Sequence, residues 1–176
     1  MSAIVQPNLA YRHVLVLTGA LFLSYLAVAM SLPAVSLFVV NDLNLSNAYG
    51  GLAVGIAFLS TIITRGQAGA FTDKLGGKLV MQRGLVLYAV AGLICLLAGL
   101  PQLPVTGRYA VLIVGRLLLG LGESFAMVAM VGWAIGLMGH GRSGQVLSLV
   151  GMGMYGAFAA GGPLGLALLD HIGFAG

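Results

Sequence analysis

Two ionisable side chains lie deep inside a long apolar segment, and they are the strongest candidates for chemistry in this sequence. Arg116 and Glu123 fall within residues 109–137, with Gly120 between them. Spacings of four and three residues place all three on one face of a helix. At about 1.5 Å of rise per residue, the two charged groups lie about 10 Å apart along the axis and need not touch.

The cost of burying such groups decides how they are interpreted. An ionisable group near the middle of a membrane segment costs about 2.5 kcal/mol or more, so its default interpretation is functional. Glu123 lies near the middle of its segment. The alternative is a structural pair, each member satisfied by neighbouring helices. The sequence alone leaves both interpretations open, and we expect Arg116 and Glu123 to be functional.

A second candidate is the stretch 69–78, which holds the densest charge in a chain that is only 7% charged. It lies between two apolar runs, so we expect a water-facing connection between buried segments. Its glycines at 69, 76 and 77 allow a tight reversal and close backbone approach. Asp73 and Lys74 are expected to form a charge pair beside that turn.

Composition identifies the solvent of the chain. Of 176 residues, 60% are hydrophobic, eight are Lys or Arg and four are Asp or Glu. A soluble domain of this size cannot cover its surface with so few charges, so the lipid bilayer is the expected partner. The basic residues cluster at segment ends, so the net charge of +4 does not indicate nucleic acid as a partner. Cys95 is the single cysteine and is expected to be a packing residue.

The apolar runs predict an all-α membrane protein with five transmembrane helices. Each run is about as long as the roughly 20 residues needed to span a bilayer, or longer. Residues 1–12 are predicted as a polar lead and residues 170–176 as part of an extracytoplasmic loop. The predicted helices cover residues 13–40, 49–68, 79–100, 109–137 and 145–169.

Two helices carry further features. In the first, Thr18, Tyr25 and Ser36 fall near one face and can line a cavity, or they can bond their own backbone. The fifth helix is rich in small residues whose spacing allows close helix contact in lipid. A hinge or seal is expected at its residues Gly161, Gly162, Pro163 and Gly165.

The distribution of Lys and Arg predicts orientation. The N-terminal lead, the second-to-third connection with its flanks, and the fourth-to-fifth connection hold six of these residues, and the opposite side holds Arg108. This count places the N-terminus in the cytoplasm. Arg65 is interpreted as an interface residue near the end of the second helix, where its side chain reaches water.

Three separated segments resemble the major facilitator superfamily. Residues 69–78 resemble its loop pattern Gly-x-x-x-Asp-(Arg/Lys)-x-Gly-(Arg/Lys)-(Arg/Lys), with Gly77 in place of the first basic residue. Residues 115–122 resemble its Arg-x-x-x-Gly-x-Gly signature. Residues 161–165 are similar in part to the Gly-Pro signature of its antiporters, and residues 65–69 and 122–124 resemble bacterial efflux permeases. Family members have twelve helices, so five correspond to most of the N-terminal six-helix half.

The resemblance implies roles for these residues. The cytoplasmic side would be closed by residues that dock on the second half, namely Gly69, Asp73, Lys74, Gly76 and Lys78. Arg116 would adjust the proton affinity of a nearby carboxylate, for which Glu123 is the candidate. The substrate would bind at the midplane between the two halves.

We therefore expect part of a proton-coupled exporter of small molecules in a bacterial inner membrane. A same-fold importer of sugars or organic acids is the alternative, and a non-transporting membrane interaction protein is the alternative from another class. No cofactor, metal or enzymatic activity is expected. The Gly-x-Ser-Gly segment around Ser143 is about 42 Å along a helix from His171, too far for a nucleophile and its base.

Overall fold

A computed structural model describes residues 7–172, and these form five long helices, as the sequence predicts. Each helix is long and apolar enough to cross a membrane. Large apolar side chains such as Val16, Leu23 and Ile62 are exposed on the outside, which suits a lipid environment. The bounds are α1 Pro7–Leu37, α2 Asn47–Leu75, α3 Gly77–Leu97, α4 Val105–Met138 and α5 Ser143–Ile172.

The first helix is longer than the predicted 13–40. It begins at Pro7, so residues 7–12 of the predicted lead are helical, while residues 1–6 lie outside the described part. It continues past Pro33 and ends in a π-helical turn, Phe38–Asp42, in which the Leu43 amide donates to the Phe38 carbonyl at 3.1 Å. The wider turn ends the helix at Asn41 and Asp42, which are polar and exposed.

The predicted connection at 69–78 is almost entirely helical, which corrects the sequence-based interpretation. Residues 69–75 continue α2, and Gly77 already begins α3. Only Gly76 separates the two helices, and its φ of +84° is a conformation that glycine adopts without strain. The charges that suggested a loop are tolerated because this end of α2 is exposed, so the helix continues past the apolar run.

The fourth helix is central to the bundle and packs closely against α2 and α3. A Cβ at Gly120 would collide with the Ala57 carbonyl oxygen of α2. A Cβ at Gly122 would lie 2.7 Å from the Tyr88 amide nitrogen, and one at Gly115 would lie 2.6 Å from the Cys95 sulfur, both on α3. Glycines therefore let α4 approach a different neighbour on each side.

The fifth helix packs against α1, and its glycines serve that contact. Side chains at Gly161 and Gly165 would collide with Ala29 and with the Met30 backbone. The helix continues through Pro163 to Ile172, so Pro163 does not end it, and the predicted loop at 170–176 begins within the helix. Residues 173–176 of that predicted loop lie outside the described residues. Gly162, whose added Cβ would meet nothing within 4 Å, does not take part in this contact.

The close approach of α2 and α4 can be tested with two glycine substitutions. Gly120→Ala is expected to destabilise the protein by about 1–3 kcal/mol, because the methyl group overpacks a tight contact. Gly55→Ala on α2 is the matched control, because its Cβ would meet nothing within 4 Å. It should be neutral or stabilising, and thermal unfolding in detergent compares the two. Equal melting temperatures would contradict the described packing.

Candidate functional site

Arg116 and Glu123 are both buried in the bundle, one near each side of the Gly120 contact. Arg116 is 1% exposed and Glu123 is 7% exposed. Together with Ser124 and Thr61 they are the buried polar residues of the described chain. Helix α4 positions both charged groups because its small residues bring α2 and α3 close enough to cover them.

The Arg116 guanidinium joins three helices. Its Nε donates to the Ala53 carbonyl at 3.1 Å, and one terminal nitrogen donates to the Val54 carbonyl at 3.5 Å, both on α2. The other terminal nitrogen donates to the Ser31 hydroxyl of α1 at 3.0 Å. These hydrogen bonds satisfy a buried cation without a carboxylate, so Arg116 and Glu123 are not a direct pair. The contacts give Arg116 a structural role.

Glu123 lies among polar side chains of two other helices. The Thr61 hydroxyl donates to the Gly120 carbonyl at 3.0 Å and lies 3.5 Å from Glu123 Oε2. The Tyr25 hydroxyl contacts Met127 Sδ at 2.8 Å and also interacts with the Glu123 carboxylate. Arg65 and Arg116 are both within electrostatic range of that carboxylate. Glu123 is therefore within electrostatic range of two cations, and among residues 7–172 no ion pair joins it to Arg116.

A small cavity adjoins the carboxylate. Its volume is about 30 Å³, and Tyr25, Tyr88 and Glu123 contribute polar groups to its wall. That volume exceeds what a single water needs, and the hydroxyl and carboxyl groups offer it hydrogen-bond partners in an otherwise apolar wall. Tyr25 thus lines a cavity, one of the two possibilities that the sequence left open. Thr18 takes the other possibility, because its hydroxyl donates to the Val14 carbonyl at 2.9 Å.

A larger cavity of about 550 Å³ lies beyond Arg116, between α1, α3, α4 and α5. Its wall is mostly apolar, with Ser31 and Arg116 among the polar exceptions. Gly165 also lines it, which places this glycine at both a helix contact and a cavity.

Sequence reasoning missed Arg65 as a neighbour of Glu123. Because α2 continues to Leu75, Arg65 lies about 15 Å before the end of the helix and not near it, as the sequence had suggested. Its terminal nitrogen lies 3.9 Å from Met127 Sδ. One signal was available: Thr61 and Arg65 are four residues apart, so they fall on the same face of the predicted helix 49–68.

The residues assigned to cytoplasmic gating lie together at one end of α2 and the start of α3. Asp73, Lys74, Gly76 and Lys78 are exposed there, and Gly69 is half-buried one turn earlier. The predicted pairing of Asp73 with Lys74 is not present, since no ion pair joins them in residues 7–172. Both side chains are therefore available to other groups.

Gly77, the departure from the family pattern, has a packing reason. A Cβ at this position would lie 2.6 Å from Trp133 Cβ and 2.7 Å from the Ala129 carbonyl oxygen of α4. A basic side chain does not fit without moving α4. The glycine therefore brings the start of α3 against α4.

The comparisons with known proteins identify the class. The Major Facilitator Superfamily matches residues 17–176. Together with the five apolar helices, this match shows that the chain belongs to the major facilitator superfamily and is a multi-pass membrane protein.

Among its relatives are bacterial proteins named as uncharacterized MFS-type transporters. STM4428 of Salmonella typhimurium (strain LT2) is 40% identical over 159 residues, which cover 90% of this chain and 41% of that protein. YhhS of Escherichia coli (strain K12) is 36% identical over 146 residues, 82% of this chain and 36% of the relative. The chain thus spans about two fifths of the length of these curated relatives. No solved structure matches it.

Arg116→Lys tests the three-helix contact. Lysine cannot reproduce the fork of donors, so at least one of the three hydrogen bonds is lost, and a hydrogen bond to a charged group contributes about 1.5–3 kcal/mol. Arg108→Lys is the matched control on the same helix, because Arg108 makes one hydrogen bond, from Nε to the Ala98 carbonyl. Thermal unfolding should show the larger loss for Arg116→Lys, and a larger loss for Arg108→Lys would contradict the assignment.

Gly77→Ala tests the packing of α3 on α4. The methyl group would have to displace the Trp133 backbone, so we expect a destabilisation of about 1–3 kcal/mol. Gly66→Ala on α2 has open space around its Cβ and serves as the control. The intrinsic fluorescence of Trp133, the single tryptophan, reports the local change. Unaltered fluorescence and melting in Gly77→Ala would refute this contact.

Proposed function

We propose that this chain is the N-terminal part of a proton-coupled exporter of small molecules in a bacterial inner membrane. The observation that carries the proposal is the environment of Glu123: a carboxyl group near the middle of α4, 7% exposed and not paired with Arg116. Intramembrane ionisable residues of this kind mark ion and proton pathways. Glu123 is the proposed proton site.

The surroundings of Glu123 suit a group that changes its charge. The Thr61 hydroxyl and the Tyr25 hydroxyl can donate to the ionised carboxylate, and each can rotate to accept from the protonated acid. Burial opposes ionisation, and the arginines at positions 65 and 116 favour it. These opposed effects allow a small rearrangement of the helices to release or bind the proton. A conformational equilibrium can then be biased by protonation.

The remaining helices of the transporter are proposed to lie C-terminal to this chain, since its relatives are more than twice as long. Asp73, Lys74 and Lys78 are exposed at one end of the bundle and are proposed to dock on that second half when the cytoplasmic side closes. Gly69 and Gly76 belong to the same proposed gate. The excess of basic residues at this end supports a cytoplasmic location.

Export is proposed because residues 161–165 resemble an antiporter signature. Gly161 and Gly165 pack on α1, so a seal between helices fits these residues better than a hinge. The second candidate is a proton-driven importer of organic acids. It is favoured by the two cations around Glu123, because Arg65 and Arg116 leave this site with net positive charge.

The proposed proton site is tested by transport in inverted vesicles that contain the complete transporter. A panel of small molecules is assayed with an imposed pH gradient, and wild type is compared with Glu123→Gln. The amide keeps the shape of the carboxyl group but cannot bind a proton, so pH-driven flux should fall at least tenfold. Asp42→Asn, which removes an exposed carboxylate at the end of α1, should retain it.

The direction of proton movement in the same vesicles separates the two candidates. Movement of protons opposite to the substrate supports export, and movement with the substrate supports uptake. Normal pH-driven flux in Glu123→Gln would contradict Glu123 as the proton site.

A further inference from the structure

Several hydroxyl groups lie near the Glu123 carboxylate, and they differ in where their hydrogens go. Thr61 and Tyr25 interact with the carboxylate, and Ser24 and Tyr88 line the cavity beside it. A hydroxyl carries a single hydrogen, so it donates to one acceptor at a time. The acceptors within reach therefore decide which hydroxyl can respond when the charge of Glu123 changes.

Three of these hydroxyls have backbone carbonyl oxygens as acceptors. The Thr61 hydroxyl is nearer to two carbonyl oxygens, at 3.0 Å each, than to Glu123 Oε2, at 3.5 Å. The hydroxyls of Tyr88 and Ser24 donate to carbonyl oxygens of α1, at 3.0 and 2.9 Å. Each of the three would have to give up a carbonyl acceptor in order to donate to the carboxylate.

Tyr25 differs because its alternative acceptor is weak. Its hydroxyl donates to Met127 Sδ at 2.8 Å and also interacts with the Glu123 carboxylate. A thioether sulfur is a weak acceptor, whereas an ionised carboxylate is a strong one. Glu123 and Met127 are one turn apart on the same face of α4. The hydrogen of Tyr25 therefore has two acceptors on one helix, and the charge of Glu123 decides between them.

The ring of Tyr25 is fixed by its packing. The residue is 4% exposed and belongs to the core that α1 forms with α4 and α5. Its ring meets Phe158 of α5 edge-on, with the two centroids 5.7 Å apart. Rotation about the bond between the ring and the oxygen moves only the hydrogen. Tyr25 can therefore exchange acceptors without repacking the core.

We propose that Tyr25 is a positioning residue of the proton site, and that its hydroxyl exchanges acceptors when Glu123 binds or releases a proton. When Glu123 is ionised, Tyr25 donates to the carboxylate. When Glu123 is protonated, the acid donates to Tyr25 Oη, and the tyrosine hydrogen turns to Met127 Sδ. The proton stays on Glu123, and Tyr25 is neutral in both states. The inference rests on the proposed role of Glu123 as the proton site.

The other charged and titratable groups near Glu123 do not make this exchange. The groups that interact with its carboxylate are Tyr25 of α1, Arg65 of α2, Tyr88 of α3 and Arg116 of α4. Both guanidinium groups stay protonated, so their charges are constant. The hydroxyl of Tyr88 already donates to a carbonyl oxygen. Tyr25 is therefore the tyrosine whose hydrogen bonding should follow the charge of Glu123.

Infrared difference spectroscopy of the complete transporter with isotope-labelled tyrosine tests the exchange. Spectra are compared on the two sides of the titration of Glu123, whose carbonyl band is the one lost in Glu123→Gln. One tyrosine C–O band should change together with that carbonyl band. Tyr25→Phe keeps the ring and should abolish the tyrosine change, and Glu123→Gln should abolish it as well. Tyr88→Phe removes a hydroxyl from the same cavity and should retain it.

Met127→Leu is a second variant, which leaves Tyr25 in place and nearly conserves the volume of the core. It removes the acceptor that Tyr25 uses only when Glu123 is protonated. The tyrosine band should therefore shift in the protonated state and stay unchanged in the ionised state. Size-exclusion profiles verify that each variant is folded.

Three results would overturn the proposal and leave Glu123 as the proton site. They are a titration of Glu123 in wild type without any tyrosine change, a Tyr25→Phe spectrum that retains every tyrosine change of wild type, and a Met127→Leu spectrum identical to that of wild type. A wild-type spectrum without a Glu123 carbonyl band would remove the proton site and the role of Tyr25 together. The same measurement thus distinguishes the two failures.

Discussion

The bundle depends on the close contact of α4 with α2, at which Gly120 meets the Ala57 carbonyl and Arg116 donates to the carbonyls of Ala53 and Val54. In lipid, helices gain little from hydrophobic association, so close packing and interhelical hydrogen bonds hold them together. A buried guanidinium that lost these acceptors would be costly. The same contact buries Glu123, one turn beyond Gly120 on α4. The burial of Arg116 and the burial of Glu123 therefore both depend on the packing of this helix.

The separation of Arg116 from Glu123 explains how one helix can serve stability and chemistry. Arg116 is held by hydrogen bonds to oxygen atoms of two helices, and it interacts with Glu123 electrostatically, without a hydrogen bond. Glu123 instead meets hydroxyl groups and a cavity of about 30 Å³, so its surroundings can adjust to a change of charge. Arg65 approaches the same carboxylate from the exposed side. The site therefore has one fixed and one accessible cation.

The helices and the face shared by Arg116 and Glu123 could be predicted from the sequence. The length of an apolar run and the spacing of residues along a helix depend only on the local sequence. The end of α2 could not be predicted, since residues 69–75 carry loop-like glycine and charge but remain helical. The wrong helix end placed Arg65 near the end of α2, where its approach to Glu123 was not expected. The role of Gly77 depends on Trp133, which is distant in sequence, so no local pattern could reveal it.

The central claim is that Glu123 binds and releases a proton within the membrane, and infrared difference spectroscopy of the protein in lipid bilayers tests it most directly. The account predicts that one of the pH-dependent carboxylic-acid carbonyl bands of wild type is lost in Glu123→Gln and kept in Asp42→Asn. A Glu123→Gln spectrum that retains every pH-dependent carbonyl band of wild type would contradict the account.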